Sequence, residues 1–85
     1  MKKFEHSVKD ELGLHARPSG VLVKEAKKYK SNITITFGGK TVNAKGLIGI
    51  MTLAVKHGDT ITLTIEGEDE EQAFTELQSF CATNV

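Results

Sequence analysis

The 85-residue chain has one cysteine, no tryptophan, no net charge and no apolar run near the roughly 20 residues a membrane span needs. A lone Cys81 rules out an intramolecular disulfide, so a reducing, cytoplasmic setting and a buried, inert thiol are expected. Eleven bases balance eleven acids, which argues against a nucleic-acid or membrane binder held by bulk charge. Met1-Lys2-Lys3 begins like a secretory leader, but polar and charged residues follow where an apolar stretch belongs. No repeat, low-complexity tract or linker interrupts the chain. Its length suits a single domain over residues 1–85, with one thin core and no deep cavity, so any chemistry must sit at the surface.

The charge is distributed unevenly. Residues 1–58 hold all eleven bases and four acids (+7), while residues 59–85 hold seven acids and no base (−7). One basic and one acidic side, or two solvated faces that keep the protein dispersed, both fit this split.

Hydrophobic spacing gives the order of elements. Phe4, His6 and Val8 alternate with polar residues, as do Ile33, Ile35 and Phe37, and Ile61, Leu63 and Ile65; each series predicts a strand with one buried face. Gly38-Gly39 supplies a hairpin turn into a return strand at Lys40 to Ala44. From Pro18, Leu22, Val23, Ala26 and Tyr29 fall on one face of a helix of about three turns. Leu47 to Val55 predicts a short, unusually apolar helix, and Ala73, Leu77, Phe80 and Cys81 a third, led by Asp69, Glu70 and Glu71 where a helix start attracts negative charge. The resulting β-α-β-β-α-β-α order predicts an α+β fold: a four-stranded antiparallel sheet with three helices on one face and a wet, threonine-rich outer face.

Gly13-Leu14-His15-Ala16-Arg17-Pro18 puts a histidine and an arginine where the first strand gives way to the first helix. The first amides of a helix lack intrahelical partners and the helix dipole adds positive charge, so an anion such as phosphate is favoured there. The amides of Ala16 and Arg17 would face it, Gly13 would leave room for its approach, and the Arg17 fork matches phosphate oxygens. Neutral imidazole attacks without a separate base, and the helix terminus disfavours imidazolium, so His15 is a candidate phosphoryl acceptor. A capping or merely surface histidine fits the same pattern. His6 on the first strand and His57 in a turn are assigned to structure, because the three histidines match no metal-ligand spacing and no metal site is expected.

The six-residue segment closely resembles the active-site signature of the HPr family, the histidine-containing phosphocarriers of the bacterial sugar phosphotransferase system. Gly39-Lys40-Thr41-Val42-Asn43-Ala44-Lys45, with Leu47 to Leu53 after it, resembles that family's second characteristic stretch. The resemblance implies an open-faced β-sandwich whose His15 Nδ1 takes a phosphoryl group from enzyme I and passes it to enzyme IIA domains, with Arg17 neutralising the transferring group. Such a protein is a carrier, not a turnover enzyme, and needs no cofactor. Gly20, Lys24, Lys27, Leu47, Ile48 and Met51 would meet the partners; Lys45 is a weaker candidate, and each apolar residue among them could equally be core. No nucleic acid, no membrane insertion and nothing beyond a monomer is expected. Many Gram-positive relatives carry a kinase-modified serine where this chain has Gly46, and Thr52, about 6 residues on, lies on another helical face. Ser19, Gly20 and Leu12 also depart from the usual pattern. Rival readings are a nitrogen-type or regulatory paralogue with the same histidine chemistry, or a non-catalytic interaction module of the same fold.

Overall fold

A computed structural model describes residues 1–85. Seven elements follow one another: β1 (Lys2–Ser7), α1 (Ala16–Ala26), β2 (Asn32–Phe37), β3 (Lys40–Asn43), α2 (Leu47–Thr52), β4 (Thr60–Glu66) and α3 (Glu70–Asn84). The strands form one antiparallel sheet in the order β1-β4-β2-β3. In β4 the side chains of Ile61, Leu63 and Ile65 are fully buried while those of Thr60, Thr62 and Thr64 turn outward, the consequence of the pleat. Register places Leu63 between Phe4 of β1 and Ile35 of β2, so apolar residues of three strands meet on one face. Each such Ile or Leu contributes about 1.5 to 3 kcal/mol by leaving water.

The helices close that face. Leu22, Val23 and Ala26 of α1, Ile50 of α2, and Ala73, Leu77 and Cys81 of α3 enter the same core. Phe74 of α3 meets Phe4 edge-on, with ring centroids 5.8 Å apart. Burial, with Glu25 nearby adding to it, pushes the Cys81 thiol up to about 12, which leaves it inert. Between β2 and β3, Gly38 and Gly39 both take positive φ (59° and 82°), as a tight hairpin turn of matching twist requires.

Two local expectations are corrected. The first helix starts at Ala16, so Pro18 sits in its first turn, Arg17 is helical, and the chain tightens past Ala26: Tyr29 lies beyond the helix, with its amide donating to Ala26 O at 3.2 Å. The short helix ends at Thr52, which leaves Leu53, Ala54 and Val55 in the connection to β4, Ala54 with φ +54°. Asp69 leads α3 as the sequence implied, without a side-chain capping bond. Its carboxylate instead accepts the amides of Lys30 and Ser31 at 2.9 Å each and the Ser31 hydroxyl, pinning the entry to β2.

Candidate functional site

The segment from β1 to α1 is built by a turn. The Asp10 carbonyl accepts the Gly13 amide at 2.9 Å, and the Asp10 carboxylate oxygen Oδ1 accepts the Leu12 amide at 3.0 Å, the local bonding that Asp-x-x-Gly sequences favour. Gly13 follows at φ +73°, buried against the other connection: a Cβ there would lie 2.2 Å from Val55 O and 2.7 Å from Lys56 Cα. The glycine is therefore required by backbone contact with residues 55 and 56, a different role from leaving space for an anion. Immediately after it the Leu14 amide donates to Val55 O at 3.0 Å, and the Leu14 side chain is buried.

This clamp delivers His15 to the N-cap of α1, in extended conformation (φ −82°, ψ −169°). Its carbonyl accepts the Ser19 amide at 3.0 Å, whereas its side chain makes no capping bond. The ring is half-exposed, and Nε2 lies 3.2 Å from Asp10 Oδ1. Ala16 and Arg17 occupy the first two helical positions and Pro18 the third, so two amides lack intrahelical acceptors and the third residue has none to offer. No acid occupies the first turn, and Arg17 is exposed. Ser19, fully buried, anchors the turn from inside by donating its hydroxyl to Leu14 O at 3.0 Å.

Asp10 is the candidate site residue that the sequence reading did not single out. The signal was an aspartate opening an Asp-x-x-Gly turn five residues before the histidine. The Leu12 amide, the facing His15 ring and Arg17 hold the Asp10 carboxyl below the usual carboxylate range, so it is ionised at neutral pH.

The other sequence candidates fall on two neighbouring helices. Gly20, Lys24 and Lys27 recur at helical spacing along α1 and its C-cap, the two lysines exposed and Gly20 half-buried with open space above its Cα. On α2, which packs against α1, Leu47, Ile48 and Met51 are exposed by 40, 78 and 42%, while Ile50 alone turns into the core. Lys45 is structural, its ammonium donating to Tyr29 O at 2.7 Å. Gly46 is the N-cap of α2, and a Cβ there would meet nothing closer than Asn43 O at 3.6 Å. His57 is exposed in its turn. His6 is half-buried on β1 with Nε2 unpartnered, and no three His, Cys, Asp or Glu side chains are placed to share a metal. No helix is long and apolar enough to cross a membrane.

Comparison with known proteins places this geometry. The family described as "PTS HPr component phosphorylation site" matches residues 2–83. The phosphocarrier protein HPr of Mycoplasma genitalium is 39% identical, over 99% of this chain and 97% of its own. An HPr-like protein, Crh, from Halalkalibacterium halodurans is 48% identical over 94 and 95% of the two chains. The crystal structure of HPr-C-His from Thermoanaerobacter tengcongensis superposes with a TM-score of 0.92 at 39% identity, covering 99% of this chain and 94% of that one. A surface imidazole freed from capping duty, at a helix start with unfilled amides, thus stands in a chain that belongs to the HPr family of phosphotransferase-system phosphocarriers.

Proposed function

We propose that His15 is the phosphoryl-carrying residue, charged by enzyme I and discharged to enzyme IIA domains in the cytoplasm of a sugar-transporting bacterium. The observation that supports this most is the half-exposed ring at the N-cap of α1, held by its backbone and by Asp10, and bonded to no core residue. The transferring group would meet the Ala16 and Arg17 amides and the Arg17 guanidinium, three donors suited to an anion passing between proteins. Because the two amides are fixed by the helix start before the group arrives, little of the backbone is reorganised on transfer. Docking would use the lysines of α1 with the apolar Leu47, Ile48 and Met51 beside them, which suits a partner with an apolar centre and acidic rim. Gly46 supplies no hydroxyl, so control by a kinase acting at that position is not expected. The protein acts as a monomer in this reading and needs no cofactor of its own.

The test is transfer from enzyme I with magnesium and phosphoenolpyruvate. One acid-labile, base-stable phosphoryl group is expected on the protein and none on His15→Ala, whose fold should persist because the half-exposed ring makes its hydrogen bond to Asp10 and none into the core. Arg17→Ala should accept the group more slowly at unchanged thermal stability; unchanged rates would remove Arg17 from the mechanism. The likeness to Crh, which in Bacillus subtilis is described as a catabolite repression HPr, favours a second reading, a regulatory paralogue. Labelling by the enzyme I of a nitrogen or regulatory branch, in preference to that of sugar uptake, would support it.

A further inference from the structure

A carrier imidazole must keep one ring nitrogen bare, and here Asp10 settles which one. An ionised carboxylate only accepts hydrogen bonds, so with Nε2 3.2 Å from Asp10 Oδ1 the proton of a neutral His15 belongs on Nε2 and the lone pair on Nδ1. Asp10 is itself held: the same Oδ1 accepts the Leu12 amide, and the Asp10 carbonyl accepts the amide of Gly13, which is wedged against Val55 and Lys56.

We infer that Asp10 is a positioning residue for His15, fixing both the Nε2–H tautomer and the rotation of the ring so that Nδ1 is the atom presented for transfer. This rests on His15 being the carrier. In the step itself the Nδ1 lone pair forms the new bond to phosphorus, and the bond from phosphorus to the donor breaks, its electron pair leaving with the donor. The Nε2 proton stays on the ring, which becomes cationic beside the carboxylate, and the hydrogen bond becomes doubly charge-assisted. Delivery to the acceptor reverses these changes. The Leu12 amide, with smaller help from the His15 ring and from Arg17, favours the ionised carboxylate of Asp10.

The experiment compares ring ¹⁵N shifts of wild type, Asp10→Ala and Asp10→Asn at neutral pH, with the His15 signals identified by their loss in His15→Ala. Wild type should show one protonated and one bare nitrogen. Asp10→Asn, which keeps an oxygen able to accept from both His15 and Leu12, should preserve that pattern. Asp10→Ala should give exchanging tautomers whose two shifts converge, with transfer from enzyme I slowed about tenfold, the low end of what loss of an orienting partner costs a metal-bound imidazole. Shifts in Asp10→Ala identical to wild type would overturn the assignment, as would equal transfer rates. A purely structural Asp10 would move melting temperature and leave the tautomer alone. If wild type takes no phosphoryl group, the carrier reading fails, while the nitrogen shifts still decide whether Asp10 orients the ring.

Discussion

Substituting Gly13 by alanine is expected to cost more stability than its size suggests, because two separate penalties fall on one methyl group. The residue sits at φ +73°, and an L-residue in that region pays about 1 to 2 kcal/mol. The methyl carbon would also stand 2.2 Å from Val55 O and 2.7 Å from Lys56 Cα, both backbone atoms that cannot swing aside. Relieving the overlap pushes the two segments apart and gives up the Leu14 N–H to Val55 O bond, leaving two groups in a buried seam at a cost of about 1 to 3 kcal/mol. The total is about 2 to 5 kcal/mol, against about 5 to 15 kcal/mol for a whole domain. At about 4 to 8 °C per kcal/mol, the melting temperature should fall by at least about 8 °C, followed by circular dichroism. Gly20→Ala is the control: it adds the same methyl where nothing lies within 4 Å, in the interior of α1, and should stabilise by about 0.5 to 1 kcal/mol. A Gly13→Ala loss below about 4 °C would refute the clamp, since it would mean that the strand-to-helix turn lifts from residues 55 and 56 at little expense.

Other perturbations test other parts of the structure. Ala54→Gly relieves a left-handed backbone (φ +54°) and should stabilise by about 0.5 to 1 kcal/mol, raising the melting temperature by about 2 to 8 °C; no rise would show that the strain is not there. Burial, with Lys9 adding to it and the Val85 carbonyl opposing, lowers the pKa of His6 below its usual 6.5. The folded state then resists a proton that the unfolded chain accepts, so His6 adds stability that is complete above pH 6.5 and lost as pH falls from there through its folded value. Urea midpoints of His6→Phe should accordingly decline less between pH 7 and 5 than those of wild type, and parallel declines would contradict this. Gly46→Ser should fold normally, given the open space at that Cβ, and become a substrate for HPr kinase and ATP by intact mass. Wild type should gain no phosphate, and stoichiometric labelling of it would show that another hydroxyl serves.

The regular parts of this fold were legible in the sequence because they rest on periodicity. Ile61, Leu63 and Ile65 could only be the inner row of a strand, and two adjacent glycines after Phe37 could only be a tight turn. What escaped depends on contacts between segments distant in sequence. Asp69 was legible as an acid at a helix start, but not as the acceptor of amides 38 and 39 residues away. Tyr29 kept helical phase beyond the end of α1 because it is buried in its own right, its hydroxyl donating to Glu76 at 2.7 Å. At the site, His15 and Arg17 stood out by residue type and place, whereas the demand on Gly13 comes from residues 55 and 56. Asp10 was hidden because a turn, not a helix or strand, brings its carboxylate back to the ring. For Leu47, Ile48 and Met51 composition left core and surface equally open, and the single inward position on α2, taken by Ile50, resolves it.

The most direct measurement is the ³¹P–¹⁵N coupling pattern of the uniformly ¹⁵N-labelled protein after charging by enzyme I and phosphoenolpyruvate. A single phosphorus bonded to His15 Nδ1, with Nε2 still carrying its proton, is the expected result. Phosphorus on Nε2, on His6 or His57, or nowhere on the chain would contradict the account.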